Sequence, residues 1–356
     1  MRGIVFDGHE LVFTEDLTVR APEHGEVLVR ILASGICHSD LNVVDGVSPR
    51  PTPIVLGHEG AGEVVRCGAG VEHMSAGDRV VIASITPCRA CRACAAGRLS
   101  DCADAFGSGE RPFRFRGEPT LRYANTSSWA EHVVVKATQL FTIGDLPMAG
   151  ASLLGCAVST GYGCVRNVAH VREDDTVAVI GIGGIGANVL QSARLAGASR
   201  IIAIDVNPRR RDTAISFGAT DVVIVAPDDD LVVAVRDLTG HGVDHAFECA
   251  GLVPTVEAAI AMTAPGGSAV LIGMPPRGAR VSFDVSEIFR GRRIIGSLNG
   301  ACDPARDFPA MIDHVRNGRL DIDTLVTQVF PFAEWQTAIA ATRSGAVVRS
   351  VLDLTV

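Results

Sequence analysis

The sequence predicts an α/β protein in two parts, a barrel-like domain of short β-strands followed by a doubly wound parallel sheet. Three observations carry that reading. From residue 1 to about residue 156, short β-rich runs are broken by glycine and proline. From about residue 176 to 298, strand-like and helix-like segments alternate. At the head of that second region, Gly181-x-Gly183-x-x-Gly186 lies between an apolar run and a helical pattern. With 356 residues, 47% hydrophobic and 20% charged, the chain can bury a core in each part.

In the first part the strands fall at residues 25–34, 62–65, 78–82 and 131–135, each rich in valine or isoleucine and bounded by turn formers. The second part opens with a buried parallel strand at 176–181, a helix at 185–195 and a strand at 200–205. Pro208 suits the first turn of the next helix, and Gly218 suits its end. Further strands are expected at 221–225, 243–248, 268–273 and 293–298, which makes six with crossovers. A helix around 307–317 and a last strand around 347–354 then return to the first domain. The expected organisation is 1–157, 158–298 and 299–356, with a metal lobe at 88–102.

A net charge of −8 disfavours nucleic acid or an anionic membrane as the main partner, since both call for a basic face. Lys136 is the only lysine, so nearly all the positive charge is arginine. The first ten residues carry Arg2, Asp7 and Glu10 and have no apolar core of a secretory signal. The most apolar stretch, from Thr176, is only about fifteen residues and dense in glycine, too short for a bilayer span. Cys37, Cys67, Cys156, Cys164, Cys249 and Cys302 follow no pairing rule, which points to a reducing compartment and a cytoplasmic protein.

Cys88-x-x-Cys91-x-x-Cys94-x7-Cys102 has the spacing of a metal cage. Thiolates three residues apart converge on one tetrahedral zinc from a short irregular loop, and neither a helix nor a strand period calls for them. Two local disulfides or free core cysteines are the plainer alternatives. Arg89, Arg92 and Arg98 lie in the same segment, where they offset thiolate charge.

The glycines at 181, 183 and 186 serve a tight turn, close approach of the backbone to a pyrophosphate, and close helix packing, while the helix N-terminus attracts the anion. Asp205 ends the second strand, nineteen residues after Gly186. Its carboxylate suits the adenosine ribose hydroxyls and repels a 2′-phosphate, which favours NAD over NADP. Arg209, Arg210 and Arg211 act against that preference, because arginines just past this strand also bind a 2′-phosphate.

A second metal constellation is spread along the chain. Cys37-His38-Ser39-Asp40 is followed, twenty-one residues after Cys37, by His58-Glu59, and Cys156 adds another thiolate at the domain junction. Two cysteines and one histidine form an open, three-ligand zinc site that leaves a fourth position for water or substrate. Taken singly, a buried cysteine is usually core and a histidine usually a satisfied polar residue.

Gly35-Ile-Cys-His-Ser-Asp40, Gly57-His-Glu-Gly-Ala-Gly62, the four-cysteine lobe, Leu154-Gly-Cys156-x-x-Ser-Thr-Gly-Tyr-Gly163 and the nucleotide turn occur in one order over the whole chain. In that order they resemble the zinc-containing medium-chain alcohol dehydrogenases. The resemblance implies a GroES-like β-barrel catalytic domain and a Rossmann coenzyme domain. It implies a catalytic zinc on Cys37, His58 and Cys156, a structural zinc on Cys88, Cys91, Cys94 and Cys102, and NAD as coenzyme. Asp40 would orient the His58 imidazole, Glu59 would assist ligand exchange behind the metal, and Ser39 would begin a proton relay. Thr160, Gly181, Gly183, Gly184, Ile185, Gly186, Asp205 and Arg210 would hold the nucleotide, with His38 and Arg349 on the pyrophosphate. By position, Ser48, Ile85, Tyr123, Ala124, Met274 and Leu298 would face the substrate.

Two positions depart from the pattern. Asn42 stands where the relay often ends in histidine, and His38 stands where many members carry arginine, which implies a weaker hold on the pyrophosphate. The segment 103–116 is shorter than in animal members.

The implied activity is reversible interconversion of a primary, aromatic or branched alcohol and its aldehyde. A formaldehyde–thiol-adduct dehydrogenase is the enzymatic alternative, since residues 116–127 resemble that branch too. A non-catalytic zinc and nucleotide binding protein is the alternative of another class. The last strand of the sheet would leave an apolar edge, so a homodimer or a tetramer of dimers is expected.

Overall fold

Runs of valine and isoleucine bounded by glycine set the strands of both parts of the computed structural model, which describes every residue except Ser108, Pro227 and Asp228. Two compact units result. One comprises Met1–Ser159, Cys302–Gly318 and Ile322–Val356; the other comprises Thr160–Ala301 and Arg319–Asp321.

In the first unit, Glu26–Gly35 organises the larger sheet. It pairs antiparallel with His132–Lys136, with Glu59–Cys67 and, at its C-terminal end, with Arg349–Asp353. The C-terminal strand therefore closes onto the first domain's sheet, and Val326–Pro331 adds a parallel partner beside it. A second sheet runs in the order Leu11–Thr14, Gly3–Phe6, Ile54–Val55, Glu118–Arg122, Phe113–Phe115, Thr18–Val19. The core beside these strands contains Trp129, Phe113, Ile4 and Leu17, all fully buried. The strand expected at 62–65 is longer, Glu59–Cys67, because its pairing with Glu26–Gly35 continues past the glycines. Gly62 permits it: a Cβ there would lie 1.9 Å from the Arg30 carbonyl oxygen.

In the second unit, six parallel strands stand in the order Asp221–Ile224, Arg200–Asp205, Thr176–Ile180, Val243–Glu248, Thr263–Leu271, Arg293–Gly296. The order reverses at Thr176–Ile180, and the crevice at such a switch point is where doubly wound sheets bind ligands. Helix Gly184–Ala196 starts directly after that strand. Leu231–Thr239 is capped by Asp230, whose carboxylate accepts from the Val232 and Val233 amides, and Val253–Met262 carries proline in its first turn.

The boundaries differ from expectation at several places. The helix after the second strand is Arg210–Ser216; Pro208 lies in the turn before it, where the Asp205 carboxylate accepts from the Asn207 amide. The fifth strand starts earlier, at Thr263, and the sixth stops at Gly296. Helix Ala157–Gly163 runs on into a π-helical turn, Cys164–Ala169, for which the sequence carries no signal. Among the described residues no single helix is long and apolar enough to cross a membrane.

Candidate active site

The first unit gathers Cys37, His58 and Cys156 so that their ligating atoms all lie within 4.8 Å of one another. Cys37 caps the short helix His38–Val44, with extended backbone at φ −104°. Asp40, in that helix's first turn, is fully buried. One of its oxygens accepts from the Cys37 amide at 3.2 Å, and the other accepts from the Gly57 amide and lies on His58 Nδ1, each at 2.9 Å. The carboxylate thus fixes the tautomer: Nδ1–H donates to Asp40, and Nε2 is free to ligate. The third ligand is set by Glu59, whose Oε1 accepts from the amide of Ala157, next to Cys156, at 3.1 Å.

The electrostatics of this pocket are those of a cation site. Cys156 donates to Cys37, which holds the Cys37 thiol well below its ordinary value with help from Arg349 and His58; the same contact and burial raise Cys156. Burial works against a charged His58, but Asp40 and Cys37 outweigh it and raise that imidazole. Burial pushes the Glu59 carboxyl up to about 7, with Cys37 and Asp40 adding to the effect and Arg349 and His58 opposing it. Two sulfurs and a carboxylate this close call for positive charge, and a dication supplies it. Soft thiolates with one imidazole are zinc's donor set, and three ligands leave the fourth position open.

Arg349 is buried with Nη2 3.5 Å from Glu59 Oε1, and its Nη1 donates to the Ile36 carbonyl at 3.3 Å. The sequence carries no sign of this Glu59 partnership. It also passed over Gly35, where a Cβ would lie 2.2 Å from Glu59 Oε2; a glycine inside a strand pattern is the signal that marks such a close approach.

Ser39 sits beside the thiolate, with Oγ 3.6 Å from Cys37 Sγ. Tyr123 meets the His58 ring edge-on at 5.5 Å and donates its hydroxyl to the Ser39 carbonyl at 3.3 Å, so this phenol is part of the metal pocket's wall. Ala124 is buried next to it with φ +46°. Ser48 is half-buried, and its amide donates to the Asn42 carbonyl. Ile85 is fully buried and packs against Cys102 and Ala105 under the cysteine lobe. His38 is exposed.

In the lobe itself, the sulfurs of Cys88, Cys91, Cys94 and Cys102 also lie within 4.8 Å of one another. The Ala90 and Cys91 amides donate to Cys88 Sγ, at 3.5 and 3.3 Å, and bring its thiol down to about 6. Desolvation and the neighbouring thiols push Cys94 up to about 12. Four sulfurs this close cannot all ionise without a dication among them.

The second unit holds the nucleotide turn. Gly181 has φ +88°, and a Cβ on Gly186 would lie 2.0 Å from the Gly181 carbonyl, whereas a Cβ on Gly183 would meet nothing within 4 Å. The turn is tight on the protein side and open on the other, the shape a pyrophosphate needs. Asp205 braces it by accepting from the Ile182 amide at 2.7 Å. Thr160 and Arg210 are buried, Gly184 and Ile185 begin the helix, and Met274 and Leu298 are each about half exposed.

Comparison with known proteins gives this geometry its family. Residues 184–317 match the zinc-binding dehydrogenase model, and residues 23–145 match the alcohol dehydrogenase GroES-like domain. The S-(hydroxymethyl)glutathione dehydrogenase of Escherichia coli (strain SMS-3-5 / SECEC) is 36% identical over 349 residues, 95% of each chain. The chain belongs to the zinc-dependent alcohol dehydrogenases. The benzyl alcohol dehydrogenase of Acinetobacter calcoaceticus superposes with a TM-score of 0.90 at 29% identity, covering 99% of this chain and 98% of that one. A zinc-binding dehydrogenase of Sinorhizobium meliloti 1021, solved bound to NADP, superposes at 0.86 with 26% identity over the same shares. As a member of this family the chain is an oxidoreductase that uses zinc and a nicotinamide coenzyme. The three-ligand set is the catalytic zinc site and the four-cysteine lobe the structural one.

Replacing a lobe sulfur tests the second assignment. Cys94→Ser is expected to lower bound zinc from two to one per chain and to reduce thermal stability, because metal binding and folding of the lobe are linked. Plasma emission spectroscopy and a melting curve check both, and a stable variant with two zincs would refute the structural site.

Proposed function

We propose that this alcohol dehydrogenase oxidises primary alcohols with aromatic or branched side chains, and reduces the matching aldehydes, with NAD as coenzyme in the cytoplasm. The observation that carries the reading is the convergence of Cys37, His58 and Cys156 with the Ser39 hydroxyl beside them. Residues 1–157 with 299–356 act as the catalytic part and 158–298 as the coenzyme part. When bound, zinc supplies Lewis acidity toward the alcohol oxygen and nicotinamide supplies the hydride acceptor.

The chain's own residues do the rest. Asp40 keeps the His58 ring oriented, Arg349 holds compensating charge beside the cysteines, and Glu59 is poised to assist ligand exchange. Ser39 accepts a hydrogen bond from the substrate hydroxyl and passes the proton outward. Asn42 cannot take up that proton as an imidazole does, so the relay ends at solvent. Gly181, Gly183, Gly184, Ile185 and Gly186 present amides to the pyrophosphate, and Asp205 with Thr160 and Arg210 completes the nucleotide set. In the metal-bearing unit Tyr123 and Ala124, with Ser48, offer a mostly apolar wall with one phenol, which accepts an aryl or branched group, whereas Ile85 is held in the core under the cysteine lobe.

A formaldehyde–thiol adduct is the second reading, favoured by the 36% identity to the Escherichia coli S-(hydroxymethyl)glutathione dehydrogenase. A panel of benzylic, terpenoid and aliphatic alcohols, with formaldehyde tested with and without glutathione, decides by coenzyme absorbance at 340 nm. Benzylic alcohols are expected to show the highest kcat/KM; a clear lead for the glutathione adduct would move the assignment to the second reading. Cys37→Ser is expected to abolish turnover while nucleotide binding stays nearly intact. Loss of NAD affinity instead would undo the separation into two sites.

Asp205→Gly is expected to raise the NADP to NAD ratio of kcat/KM, since the carboxylate that repels a 2′-phosphate is gone while Arg209 and Arg210 remain. An unchanged ratio would assign coenzyme choice to another residue.

The edge strand Arg293–Gly296 pairs with the same strand of a second copy, giving a homodimer or a tetramer of dimers. Next to it Phe289 is 86% exposed and Val285 is 61% exposed, apolar surface that a second subunit covers. Ile295→Pro removes a backbone donor from that edge and is expected to split the dimer. Light scattering at micromolar concentration checks both chains, and a wild-type mass near 37.3 kDa would exclude the assembly.

A further inference from the structure

The coenzyme unit contains a cavity of about 550 Å³ that belongs to neither the glycine turn nor the metal site. It lies where the π-helical turn Cys164–Ala169 ends and where helix Gly184–Ala196 ends, both within Thr160–Ala301. Its floor is apolar, with Leu195 and the buried ring of Tyr162 among its lining residues. Its rim is cationic. Arg166 lies over the Tyr162 ring, 6.0 Å from the centroid, and Arg172 and His170 complete the edge. No carboxylate is among the lining residues, and among the described residues neither Arg166 nor Arg172 forms an ion pair.

Helix ends complicate the charge count but do not reverse it. Two helix C-termini bring about half a negative charge each. His170, in left-handed backbone at φ 54°, caps one of them by donating Nδ1–H to the Arg166 carbonyl at 3.0 Å. Two whole guanidinium charges remain against roughly one from the helix ends. A further polar group awaits a partner. Ser192, only 3% exposed, lines the same cavity, and its hydroxyl has no hydrogen-bond partner among the described residues. Such a group is rare in a buried position and is satisfied when a ligand brings an acceptor.

We propose that this cavity is a binding site for a small amphiphilic carboxylate, separate from the catalytic centre. The carboxylate meets the Arg166 and Arg172 guanidiniums, which match its planar, bidentate geometry. The Ser192 hydroxyl donates to it, and an aryl or branched body covers Tyr162 and Leu195. The volume is that of a small-molecule site.

The test uses 4-fluorobenzoate as probe, titrated into the zinc-loaded enzyme and followed by fluorine NMR. Saturable binding is expected, with affinity at least roughly tenfold weaker in the double variant Arg166→Gln/Arg172→Gln, whose melting temperature and turnover stay those of the parent. The neutral 4-fluorobenzamide is expected to bind at least about tenfold more weakly than the acid. Because a carboxylate also has affinity for a catalytic metal, the titration is repeated with Cys37→Ser, where binding is expected to persist. No saturable binding, binding indifferent to the two arginines, or binding lost with Cys37→Ser would each overturn the site. Displacement by equimolar inorganic phosphate would show that charge alone is read and would overturn the amphiphilic ligand.

Discussion

The Asp40 carboxylate is the interaction on which the catalytic arrangement depends. It is fully buried, yet it is satisfied by three donors drawn from two segments: the Cys37 and Gly57 amides and the His58 imidazole. A buried carboxylate costs several kcal/mol unless it is paired and hydrogen-bonded. Satisfying Asp40 therefore places Cys37 at a helix N-cap and turns His58 so that its other nitrogen is free. Two metal ligands twenty-one residues apart in sequence are registered by one side chain.

Charge is the second constraint. Cys37, Cys156 and Glu59 concentrate negative potential in buried surroundings, and Arg349 brings a buried guanidinium into contact with Glu59. Arg349 arrives from the last strand of the chain, where Val351 pairs with Gly35. The return of the C-terminal segment to the first domain thus serves the site as well as the sheet. The missing side chain at Gly35 leaves the room that Glu59 occupies.

In the coenzyme unit the same economy of space operates in the backbone. The Gly181 turn is compressed against Gly186 and open beside Gly183, and Asp205 ties it to the end of the second strand through the Ile182 amide. The parallel order reverses at the strand that feeds this turn, so topology and local conformation place the turn's amides at the switch point of the sheet. The Asp205 carboxylate, which also accepts from the Asn207 amide, is thus part of the turn's scaffold.

The fold class, the four-cysteine lobe and the nucleotide turn were legible in the chain because each is written in spacing: thiolates every three residues, glycines at fixed offsets after an apolar run, and strand and helix periods in separate regions; the scattered ligands Cys37, His58 and Cys156 were legible only through the family resemblance of the motifs around them. The sequence by itself also located all six strands of the parallel sheet, with ends shifted by a few residues where pairing continues or stops. Tertiary structure alone decided that Arg349 lies against Glu59, that Tyr123 binds the Ser39 backbone, and that a π-helical turn follows the third zinc ligand. It alone brought Tyr162, Arg166, Arg172 and Ser192 around one cavity. These are contacts between distant segments or choices among near-equal backbone conformations. Neither leaves a period or a spacing in the chain, since what selects them is the shape and charge of neighbours that folding supplies.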